Sequence, residues 1–146
     1  MHKSYYFLIA VIMFSGCTPQ PESTIFVEPH CLPSQSQCKI TNSFGSFDIL
    51  FNVDTVITEQ MFDIIIKKDS AFEKLKVTGY LEGKEMFMGK IPLFFEKYDL
   101  QTSVSKAMLG SCTEQDMTWR MWLTIADQEN AEKAVTFFID FNSKRS

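Results

Sequence analysis

Alternation of apolar and polar positions with a period of two is the dominant signal along the chain. Phe47, Ile49, Phe51 and Val53 share one side of an extended segment, with Asp48 and Asn52 opposite. Phe62, Ile64 and Ile66 alternate with Asp63 and Lys67, and Leu75 and Val77 with Lys74, Lys76 and Thr78. Near the C-terminus Trp119, Met121, Leu123 and Ile125 oppose Thr118, Arg120 and Thr124, and Val135, Phe137, Ile139 and Phe141 oppose Thr136 and Asp140. Each segment predicts a strand with one buried and one wet face, because successive side chains in a strand point to opposite sides. Shorter runs at 25–28, 38–41, 86–88, 93–96 and 104–108 predict further strands. The helical competitors, 57–68 and 128–135, are short and carry β-branched residues, which leaves only a helical turn near Asn130. About seven to nine short strands in residues 25–146 predict an all-β fold, an antiparallel immunoglobulin-like β-sandwich, with a small closed barrel as the alternative.

The N-terminus breaks this pattern. Met1, His2 and Lys3 form a positive start, and the uncharged run from Tyr5 to Phe14 is too short for a helical span, which needs about 20 apolar residues. A charged start followed by such a run is the pattern of a secretory signal, here residues 1–16. Phe14-Ser15-Gly16-Cys17 resembles the lipobox of bacterial lipoproteins. That resemblance implies cleavage before Cys17, attachment of a diacylglyceryl group to its sulfur, and acylation of the new amine. Several acyl chains, each contributing about 0.8 kcal/mol per buried CH2, would hold the protein on a bilayer without a spanning segment. Residue 18 is Thr, where an Asp would resemble an inner-membrane retention signal, so the expectation is an outer-membrane protein facing the periplasm. Residues 17–24 are rich in Pro, Gln, Glu and Ser, as in a flexible tether.

Composition narrows the function classes. The chain has 146 residues, enough for one compact domain, and fourteen Phe supply the bulk of a single core. Its formal net charge is -4, and loss of Lys3 with the signal would make the remainder more acidic, so nothing favours a nucleic-acid backbone as partner. Beyond Cys17 there are three cysteines, Cys31, Cys38 and Cys112. An oxidising compartment allows one intramolecular bridge among them. Closing the short loop between Cys31 and Cys38 costs less entropy than closing one of about seventy residues, so these two form the expected disulfide and Cys112 is the odd thiol. Their spacing is not that of a Cys-x-x-Cys redox pair, which makes the bridge a structural staple.

Catalytic chemistry finds little support. Without the signal, His30 is the single histidine, which rules out a three-His zinc site and leaves a Ser-His-Asp triad dependent on a residue beside Cys31. The chain has no Gly-x-Ser-x-Gly turn, Walker loop or Gly-x-Gly-x-x-Gly fingerprint. Two windows stand out instead: Gly79 to Lys90, containing Met86 and Met88, and Leu109 to Trp122, containing Cys112 and Met117. In a strand, Met86 and Met88 would project from the same face. Thioether and thiolate are soft donors, so a site built from Met86, Met88, Cys112 and Met117 would select Cu(I), with Trp119 or Trp122 as a shield. The opposing expectation is plain packing, since Met fills irregular cores against aromatic rings and a free Cys behaves as a small hydrophobe.

The order Cys31-x6-Cys38, a Gly-Tyr-x-Glu-Gly-x-x-Met-x-Met-Gly run ending at Gly89, and Cys112-x4-Met117-x-Trp119 resembles a group of small proteobacterial periplasmic proteins and lipoproteins. It is similar, more distantly, to FixH-like β-sandwich proteins. The resemblance implies an immunoglobulin-like sandwich and a role in copper handling or cytochrome oxidase assembly. Two functions follow as expectations. The first is a lipid-anchored accessory or binding lipoprotein without catalytic activity, whose partners are envelope or respiratory proteins. The second is a Cu(I)-binding lipoprotein.

Overall fold

The computed structural model describes residues 25–27, 37–130 and 132–146, the first three as backbone. The signal segment, Cys17, the tether through Thr24, His30 and Cys31 lie outside the described residues. Eleven strands are present among those described: β1 (Ile25–Val27), β2 (Gln37–Asn42), β3 (Gly45–Phe51), β4 (Val56–Ile57), β5 (Met61–Lys68), β6 (Leu75–Gly83), β7 (Lys90–Phe94), β8 (Glu96–Lys97), β9 (Thr102–Met108), β10 (Asp116–Asp127) and β11 (Ala134–Lys144). They form two sheets. One has the order β1-β11-β10-β6-β7, with β4 also paired to β11, and the other has the order β2-β3-β5-β9-β8.

The alternation read from sequence is the alternation that packs. On β10 Trp119, Met121, Leu123 and Ile125 are all fully buried, and on β11 Val135, Phe137, Ile139 and Phe141 face the same core. From the second sheet, Phe47, Ile49, Phe62, Ile64 and Ile66 meet them. Phe141 packs edge-on against Phe51, with ring centroids 5.0 Å apart, which joins the two layers directly. The result is the β-sandwich class that two half-wet sheets dictate.

Four sequence expectations change in detail. The strand count exceeds nine because β4 and β8 are two-residue pairings. The sheets are not wholly antiparallel, since β1 and β4 each run parallel to β11. Residues 86–88 are loop, not strand, so Met86 and Met88 do not share a strand face. The segment near Asn130 is a turn closed by Lys133 N–H donating to the Asn130 carbonyl at 3.0 Å, and no helix occurs among the described residues.

The outer face of the first sheet carries two cross-strand rows. Tyr80, Trp122 and Phe138 lie in register on β6, β10 and β11, with Glu82, Arg120 and Asp140 in the next row. The Trp122 indole N–H donates to Glu82 Oε1 at 2.6 Å. Arg120 sits over the Phe138 ring, 3.8 Å from its centroid, and makes a two-pronged contact with the Asp140 carboxylate.

Candidate functional site

Two loops and two strand ends converge at one end of the sandwich. The β6–β7 loop, residues 84–89, turns back where Gly89 adopts a left-handed φ of 77°, which L side chains rarely tolerate. It is fixed to β10 twice: Lys84 N–H donates to the Thr118 carbonyl at 3.0 Å, and the Glu85 carboxylate accepts the Thr118 N–H at 3.1 Å. The β9–β10 loop is pinned at three carbonyls by Glu59 and Arg145. The Leu109 carbonyl accepts from Glu59 N–H, the Gln115 carbonyl from Arg145 N–H, both at 2.9 Å, and the Thr113 carbonyl from the Arg145 guanidinium.

Between the loops lies an open cleft of about 530 Å³. Met86, Cys112 and Met117 line it, so three of the four sulfurs singled out in the sequence come to one cavity. Met117, on β10, is buried; Met86 is 42% exposed at the rim; Cys112 is partly buried between them in accessibility and is a free thiol. Met88 is not part of the lining. It packs against the core from the loop, and its methyl would lie 3.7 Å from a Cβ placed on Gly110, two residues before Cys112.

Gly83 makes room for this arrangement. It ends β6 on the inward-facing side, and a Cβ there would collide with the Met117 methyl and with the Met86 carbonyl oxygen. Only an unsubstituted α-carbon lets the Met117 thioether and the returning loop approach the strand so closely.

The Cys112 sulfur accepts the Glu114 N–H at 3.2 Å, a local turn that orients Sγ. Glu85, Glu114 and Asp116 surround the opening as exposed carboxylates. The sequence pattern does not mark these acidic residues as part of a site. The available signal was their placement, Glu85 directly before Met86 and Glu114 and Asp116 between Cys112 and Met117, but acidic residues in polar stretches ordinarily mark solvated loops.

Neither tryptophan shields the cleft. Trp119 points into the core, where its indole N–H donates to Ser143 Oγ at 3.0 Å, and Trp122, three positions on, belongs to the opposite face. Strand alternation forces this separation, since odd and even positions of β10 cannot serve the same side. Among the described residues no group of three or more His, Cys, Asp and Glu side chains is disposed to hold a metal ion. No family model, curated protein or solved structure matches this chain.

Proposed function

We propose that this chain is a lipid-anchored lipoprotein of a bacterial envelope whose β-sandwich faces the periplasm and binds a ligand or partner without catalysing a reaction. The cleft between the β6–β7 and β9–β10 loops carries the reading. Its walls are held by backbone hydrogen bonds to β10 and to Arg145, so the pocket is preformed, as binding sites usually are. Export is supported by the charged start, the short apolar run and the box ending at Cys17.

An oxidising location is also consistent with the sulfur chemistry. We place Cys38, buried on β2, in a disulfide, and Cys112 is a free thiol. Cys31 is the proposed partner because it closes the shortest loop.

Metabolic labelling with a radioactive or clickable fatty acid, followed by density separation of inner and outer membranes, tests the assignment. The wild-type chain is expected to carry label and to sediment with outer membrane, and Cys17→Ala is expected to lose the label and retain the uncleaved signal. An unlabelled wild-type chain in the cytosol, with Cys31 and Cys38 both reduced, overturns it.

A further inference from the structure

We propose, building on the binding role given to this cleft, that its ligand is a soft monovalent metal ion, Cu(I), held by Cys112 Sγ together with the thioether sulfurs of Met86 and Met117. Three observations converge on this ligand class. The cleft gathers three sulfur side chains from two separate segments, and the rest of its lining, Glu85, Glu114, Asp116, Thr118 and Asn142, is polar. Soft sulfur donors select Cu(I) over Mg, Ca or Zn, and the described residues offer no cluster of imidazole, thiol and carboxylate groups for a harder ion. The exposures are graded as a binding path needs: Met86 at the rim, Cys112 partly buried, Met117 at the base with 8% exposure.

Electrostatics fit the same ion. Glu85, Glu114 and Asp116 concentrate cations at the opening, as a cleft lined by one sign of charge does. Inside, one thiolate and two neutral thioethers match a single positive charge, so the filled site is neutral. Binding breaks the Cys112 S–H bond and forms a sulfur–copper bond; the proton passes to solvent, and copper stays Cu(I) throughout. The Glu114 N–H, already directed at Sγ, faces the negative charge that the coordinated sulfur carries.

Packing alone accounts less well for the geometry. A methionine serving only as core filler has no need of rim exposure, yet Met86 and Phe87 stand in solvent beside the cleft while Met117 is accommodated by a glycine.

The test uses full-length protein purified from membranes in detergent, titrated with Cu(I) kept reduced by ascorbate and competed against the chromophoric chelator bicinchoninate. Ascorbate leaves a disulfide intact, so Cys112 is the thiol that responds. Wild type is expected to withdraw one equivalent of copper and to release one proton. Removal of a supporting partner around a metal site typically costs about 10- to 100-fold in affinity. Met86→Leu and Met117→Leu should each lose at least that much, and Cys112→Ser more. Met86→Leu lies at the rim and cannot unfold the core, and X-ray absorption of the wild-type complex should show sulfur as the nearest neighbours.

Failure of wild type to compete with the chelator, or uptake that survives Cys112→Ser and Met117→Leu, overturns the copper assignment. If the chain is still lipid-labelled and membrane-bound, the binding-lipoprotein reading then stands without it. Loss of metal uptake in Glu85→Gln and Asp116→Asn but not in the sulfur variants overturns it as well, by showing a carboxylate site.

Discussion

Asp140 offers a quantitative probe of the sheet that carries Met117. Its carboxylate accepts Arg120 Nε at 2.7 Å and Arg120 Nη2 and Lys84 Nζ at 2.9 Å each, with 14% of the side chain exposed. The Arg120 guanidinium holds the Asp140 carboxyl below the usual carboxylate range, against the opposing effect of burial, and Lys84 adds to the lowering. Exposed ion pairs contribute about 0.2–1 kcal/mol and hydrogen bonds to charged groups about 1.5–3, so this partly buried, two-pronged contact should contribute about 1–2 kcal/mol.

Asp140→Asn removes the charge and turns an N–H2 toward one of the two cations. At about 4 °C per kcal/mol for a domain of this size, its Tm should fall by roughly 4–8 °C near neutral pH. A carboxyl whose folded pKa is depressed contributes its full stability above its unfolded value, about 3.9, and loses it as the pH falls through the folded value. Below the unfolded value the contribution declines by up to about 1.4 kcal/mol per pH unit. The gap between wild type and Asp140→Asn in urea denaturation, followed by tryptophan fluorescence, should therefore be constant from about pH 7 to 5 and shrink below about pH 4. A gap that is absent at neutral pH, or that persists undiminished to about pH 2, refutes the reasoning.

Two further substitutions test the core. Trp119→Phe removes the buried bond to Ser143 Oγ and strands that hydroxyl, with an expected loss of about 1–3 kcal/mol in chemical denaturation. Adding Ser143→Ala should recover part of the loss, and an additive double variant would count against the bond. Gly79→Ala places a Cβ against the Trp122 carbonyl oxygen and 2.9 Å from Leu123 Cδ2, where neither the β6–β10 backbone pairing nor the packed Leu can yield easily. It should cost about 1–3 kcal/mol or more, whereas Thr78→Ala on the wet face should stay within about 0.5. Equal melting temperatures for the two variants would contradict the close approach.

What was legible in the sequence was what a sheet enforces locally. β10 and β11 repeat inward and outward positions without a break, and this periodicity alone identifies both strands and their buried faces. Met86-Phe87-Met88 misleads because all three residues are apolar and no alternation is present, so a two-residue spacing between sulfurs resembled a strand face. Gly83 and Gly89 bracket that stretch and end the pairing on either side. Three of the four residues in the sulfur windows share a cavity because the β6–β7 loop and the β9–β10 connection, which crosses between the sheets, meet at one end of the sandwich. The acidic rim was not legible, since only tertiary structure brings Glu85 beside Glu114 and Asp116.

The parallel pairing of β1 with β11 has a consequence for how such a molecule would hang. Ile25 aligns with Val135, while Asn142, at the cleft, lies seven steps further along the same strand. At ~3.4 Å per step this is about 24 Å. The described chain therefore enters the first sheet far from the cleft. On the proposed anchoring at Cys17, the tether joins the fold at the end remote from the sulfur-lined mouth and leaves that mouth clear of the point of attachment.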